Sequence, residues 1–68
     1  MKFEPNKYYK HEIGTYIHTL AEVDTLTYGR TIVAETGLGL VSIDIDQEDL
    51  SNWLEVTKDE YMFEVFGT

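Results

Sequence analysis

Cysteine is absent from this chain, and that absence removes several functions at once. No disulfide framework, thiolate metal site or thiol nucleophile is available. No apolar run approaches the roughly 20 residues that a membrane helix needs. After Met1-Lys2-Phe3 the sequence turns polar, so no secretory leader is expected. Cations are scarce too: five Lys and Arg stand against thirteen Asp and Glu, a formal charge of -8. Such a surface repels phosphate, which disfavours direct binding to nucleic acid.

The distribution of that charge says more than its size. Residues 1–34 balance Lys2, Lys7, Lys10 and Arg30 against Glu4, Glu12, Glu22 and Asp24. Residues 35–68 set nine carboxylates against Lys58 alone, so the whole net charge lies in the second half. With 68 residues the chain forms one domain, residues 1–68. A domain this small buries only about 60 % of its unfolded surface. Self-association into a homodimer is one route to added stability, which the sequence allows without requiring.

Strand patterning dominates what is present. Residues 1–6 read as an arm fixed by Pro5. The run from Tyr8 to Ile13 is rich in β-formers, and Gly14-Thr15 suits a two-residue hairpin turn. That turn would pair His11 with His18, Tyr9 with Leu20 and Lys7 with Glu22. The central stretch Leu20–Glu35 reads as a second hairpin around Leu26-Thr27-Tyr28-Gly29. Its expected register sets Val23 opposite Ile32 and Ala21 opposite Ala34, with Ile17, Ala21 and Val23 on one face. A third hairpin turns at Gly37-Leu38, pairing Ile32 with Ile43 and Ala34 with Val41, and its return strand buries Val41, Ile43 and Ile45.

Asp46–Ser51 is predicted to form a helical turn with Asp46 as N-cap and Leu50 as anchor. A short strand follows, with Leu54 and Val56 inward. Thr57-Lys58-Asp59-Glu60 is a capping box, Thr57 and Glu60 each bonding the other's backbone, so a helix is expected from about Lys58 to Phe66, ended by Gly67. The expected fold is mainly β, of the α+β type. Four to five strands would form a small bent antiparallel sheet or an SH3-like barrel, with a short C-terminal helix.

Three constellations carry candidate chemistry. His11 and His18, set opposite by the first hairpin, sit close enough to share a metal, but zinc normally takes three or four protein ligands and no carboxylate joins them. Asp44, Asp46, Glu48, Asn52 and Glu55 have the spacing of a calcium loop. The sixth position, where such a loop needs glycine, is Asp49, and a strand precedes it instead of a helix. Ser42 and Ser51 have no histidine near in sequence, and Gly37-Leu38-Gly39 lacks the helix and lysine of a phosphate loop. No enzyme, metal or cofactor is expected.

Two binding surfaces remain. Glu35, Asp44, Asp46, Glu48, Asp49 and Glu55 are expected to form one continuous exposed acidic strip, suited to a basic protein surface. Tyr9, His11, Tyr16 and His18, with Ile13 and Leu20, are expected to share one face of the first hairpin. That face would stack on a base in a nucleotide-sequestering protein, unless Phe3 or the C-terminal helix covers it.

Lys7-Tyr8-Tyr9-Lys10-His11, Gly14, Glu22-Val23-Asp24-Thr25, Tyr28-Gly29, Val33-Ala34-Glu35 and Asn52 through Glu60 together resemble short uncharacterised proteins encoded by bacteriophages and prophages. The resemblance spans nearly the whole chain. The group has no assigned chemistry, so no functional residue is carried over. It implies a phage accessory protein in the cytoplasm of the bacterial host. The favoured expectation is a non-catalytic protein that binds a host protein through its acidic surface, as a nucleic-acid mimic or anti-defence inhibitor. A structural, self-assembling phage component is the remaining class.

Overall fold

A computed structural model describes residues 2–67. Five antiparallel strands form one open sheet: β1 (Tyr8–His11), β2 (Tyr16–Thr25), β3 (Gly29–Thr36), β4 (Gly39–Asp44) and β5 (Trp53–Val56). Their spatial order is β4-β3-β2-β1-β5, so three sequential hairpins are followed by a strand that returns to pair with β1. β4 and β5 form its two unpaired edges, which makes the fold a sheet and not a barrel. One helix, α1 (Lys58–Phe66), ends the chain.

The third hairpin has the register that its two-residue turn dictates, with Ile32 opposite Ile43 and Ala34 opposite Val41. The first does not. Its loop spans Glu12–Thr15, closed by the His11 N–H on the Thr15 carbonyl at 2.7 Å. Tyr9 therefore lies opposite Ile17, and Tyr8 opposite His18. This register places Tyr9 and Ile17, both 1 % exposed, together in the core. The expected register would have set Tyr9 against the half-exposed Leu20.

The central hairpin also shifts. Its loop has three residues, because Thr25 pairs with Gly29 and the Thr25 hydroxyl accepts the Tyr28 N–H at 2.8 Å. Gly29 adopts φ 69°, the left-handed residue that closes such a loop. A β-bulge between Thr19 and Ala21 then moves the register again. A bulge adds one residue to one strand and so reverses which face the following side chains take. Ile17 and Thr19 are buried, whereas Ala21 and Val23 turn to the other, exposed face. Glu22 and Asp24 come opposite Ile32 and Arg30 instead.

The core occupies one face of the sheet. Phe3, Tyr9, Ile17, Ile32 and Ala34 are buried there, and Ile43, Ile45, Leu50 and Trp53 pack against them. Phe3 meets Tyr9 and Trp53 edge-to-face at 4.9 and 5.3 Å, the geometry that aromatic quadrupoles favour. The N-terminal arm is thus a lid on the core. Val41 points to this face at the sheet edge and keeps 38 % of its surface exposed.

On the opposite face α1 packs through Tyr61, which is 2 % exposed and lies 5.1 Å from the Tyr8 ring. The helix has the expected bounds, with Thr57 accepting the Glu60 N–H at 3.1 Å and Gly67 as a left-handed C-cap. Half of the capping box is redirected, since the Glu60 carboxylate takes the Tyr16 hydroxyl at 3.1 Å. Two further expectations are corrected. The helical turn is a 3-10 turn, Leu50–Asn52, capped by Asp49 and not Asp46. Leu54 is 67 % exposed, because pairing of β5 with β1 gives the core face to Trp53.

Candidate functional site

The six carboxylates of the expected strip do not lie on one surface. Glu35, on β3, faces the helix side, where its carboxylate is 2.7 Å from His18 Nδ1. Glu55 lies on β5 at the far edge, 4.0 Å from Lys7 Nζ. Three strands separate that edge from β4. The remaining four lie at the end of β4 and along the connection that runs from it to β5.

Each of those four has local work. Asp44 accepts the Asp46 N–H on its carboxylate at 3.0 Å, and its carbonyl accepts Gln47 and Glu48, which folds the turn. Glu48 accepts the indole N–H of Trp53 at 3.1 Å. Asp49 accepts both the backbone N–H and the hydroxyl of Ser51, and these bonds hold its carboxyl below the usual value. Asp46 lies 2.8 Å from an Arg30 nitrogen, a bond that raises the guanidinium's already high value.

Of these four, Asp46 is the one that pairs with Arg30. The other terminal nitrogen of Arg30 is 4.0 Å from Glu22, and Asp24 is its cross-strand partner. The three-residue loop sets this pairing, and the bulge lets it coexist with burial of Ile17 and Thr19 on the same face. The molecule therefore has an acidic pole at the β2–β3 loop end, with Glu22, Asp24 and Asp46 gathered about one arginine and Asp44 beside Asp46, while Glu48 and Asp49 lie further along the connection, toward Trp53 of β5. Reading the sequence missed Glu22 and Asp24. A signal for them existed: a three-residue loop sets Asp24 directly opposite Arg30, an attractive cross-strand pair.

The aromatic face divides in two. Tyr9 is in the core, its hydroxyl accepting the Glu4 N–H at 3.0 Å, and His11 meets Trp53 edge-on at 4.8 Å. Tyr16 and His18 belong to the helix side. His18 stacks on Tyr8 with ring centres 4.4 Å apart and planes 9° from parallel, and its Nε2 lies 2.9 Å from Asn6 Oδ1. The two histidines are thus on opposite faces and not a cross-strand pair. Among the described residues no group of three or more His, Asp or Glu is placed to hold a metal ion.

The lysines lie apart from the acidic pole. Lys7, Lys10 and Lys58 line a groove of about 610 Å³ between β1, β5 and the start of α1, together with Glu55 and Glu60. Among the described residues no helix is long and apolar enough to cross a membrane. Comparison with models of protein families, with curated proteins and with solved structures found no match to this chain.

Proposed function

We propose that this protein is a non-catalytic binding protein that engages a basic protein surface through its acidic pole. The observation that carries the reading is the gathering of Glu22, Asp24 and Asp46 around a single arginine at one end of the sheet, with Asp44 holding the turn beside Asp46. Carboxylates concentrated in this way steer a cationic partner and fix its orientation more than they add raw affinity. In the phage setting that the sequence resembles, the partner is a host protein with a basic surface in the bacterial cytoplasm. A protein that normally holds nucleic acid fits that description, and occupying its site is the anti-defence form of the proposal. The nucleotide-stacking alternative loses its support, since Tyr9 is 1 % exposed and Tyr9 and His11 lie on the opposite face from Tyr16 and His18.

The test holds net charge fixed while moving its position. Glu22→Gln with Asp24→Asn neutralises two carboxylates of the pole; Glu12→Gln with Glu64→Gln neutralises two exposed ones elsewhere. A protein retained from bacterial lysate on the immobilised chain is identified and purified, and its affinity for both variants is measured as salt rises. The pole variant is expected to bind more weakly and to lose part of the salt dependence. Equal affinity for the two variants would exclude the acidic pole as the site.

A further inference from the structure

We propose that the free edge of β4 is a docking strand, to which the basic partner adds an extended segment of alternating apolar and basic residues. This rests on the acidic-pole reading and names the kind of surface that the pole meets. β4 is bonded only to β3. The Ile45 N–H bonds the Arg30 carbonyl, so in the antiparallel ladder the pairs Ile32–Ile43 and Ala34–Val41 carry the hydrogen bonds. The N–H and C=O groups of Leu40 and Ser42 and the N–H of Asp44 therefore point outward along the edge, the Asp44 carbonyl being taken by the turn after it.

Natural sheets blunt such an edge with proline, lysine, a bulge or short length. Gly39–Asp44 contains no proline or lysine, and its pairing with β3 runs without a bulge. The other edge differs: β5 has four residues. The outer edge of β2 beyond β1 is interrupted by the bulge and carries Glu22 and Asp24. Among the described residues β4 is the longer, regular edge, guarded by a charge only at its end, Asp44.

Its side chains specify the occupant. On the core face Val41, 38 % exposed, and Ile43 offer an apolar row that an added strand would extend. On the other face Leu40, Ser42 and Asp44 follow one another, with Glu35 opposite Leu40 on β3. Alternation sends every second side chain of an incoming strand to each face. Apolar residues would cover Val41 and Ile43 on the core face, and basic ones would lie beside Asp44 and Glu35 on the other face, with Asp44 at the same end of the sheet as the acidic pole. A second copy fits less well. It brings the same charge of -8, and a two-fold register centred on Ser42 would set Leu40 against Asp44.

The probe is a capped heptapeptide of alternating lysine and valine, added to the full chain while backbone amide exchange is followed. Bound peptide is expected to slow exchange at Leu40, Ser42 and Asp44 by about tenfold or more, because main-chain pairing supplies the affinity in strand addition. Ser42→Pro removes an N–H that β3 does not use and is expected to abolish binding. The same peptide with a central proline is expected not to bind. If Ser42→Pro does not fold, the exchange experiment on the unaltered chain decides. Peptide binding that is weakened by Glu22→Gln with Asp24→Asn, yet leaves the three amides unchanged, would overturn the edge and spare the pole. No peptide binding would overturn the edge inference, with the pole still judged by its own paired variants. Protection of those amides that grows with protein concentration, without peptide, would assign the edge to a second copy and overturn the proposal.

Discussion

The Thr19 hydroxyl holds the N-terminal arm to the sheet. Thr19 is fully buried, accepts the Lys7 N–H at 3.0 Å and donates to the Glu4 carbonyl, while its own N–H and C=O bond Lys7 and Asn6. Thr19→Val keeps the shape and strands the Lys7 N–H and the Glu4 carbonyl. The expected loss is about 1–3 kcal/mol, the cost of polar groups left without partners. Urea unfolding measures it, and unchanged stability would show that the arm is held by Phe3 alone. Tyr9 and Tyr61 set a second expectation. Burial pushes both phenols above the ordinary 10.0, so the fold holds the neutral form. Their contribution is complete below that pH and is lost as pH rises through the folded values. Circular dichroism should therefore show alkaline unfolding, and Tyr61→Phe should move its onset to higher pH.

α1 depends on its cap because it has little else. Among its described residues Tyr61 alone is buried, and its last turn carries no basic residue to complement the dipole. Thr57→Ala should cost about 1 kcal/mol, read as a lower denaturation midpoint with an unchanged m value. Elements governed by near neighbours were legible in the sequence: the Thr57 cap, the Gly37-Leu38 turn with its register, and the helix bounds. The two earlier hairpins were not. Both loops admit more than one length, and the choice was made by packing of Tyr9 and Ile17 against Phe3, Ile32 and Ala34 and by the arm bonding Thr19, contacts that lie outside either turn.

The whole molecule is elongated, 38 × 22 × 18 Å, with Lys7, Lys10 and Lys58 along β1, β5 and the helix start, apart from the carboxylates about Arg30. A charge of -8 on so small a body disfavours the compact state through self-repulsion. The exposed pairs Lys7–Glu55 and Arg30–Glu22, each at 4.0 Å, offset little of this, since such pairs contribute about 0–1 kcal/mol. Raising sodium chloride from low to physiological strength shortens the screening length from about 30 to 8 Å. The melting temperature should rise over that range in calorimetry. A fall would mean that attraction across the ion pairs outweighs the repulsion.

By itself the sequence determined the class of fold, the last hairpin, the helix and the excess of negative charge. These depend on composition, on a period of two and on contacts a few residues apart. The faces on which the charges and aromatic rings lie were decided by tertiary structure. One extra residue at the Thr19–Ala21 bulge turns Ala21 and Val23 away from the core side, and a three-residue loop sets Asp24 against Arg30 with Glu22 beside it. A three-residue slip in the first hairpin sends Tyr9 inward and parts His11 from His18. Side-chain direction in a strand reverses with every residue, so a register known to within one position leaves the face undetermined. Only the packing of Phe3, Tyr9, Ile17 and Ile32 against one another settles it.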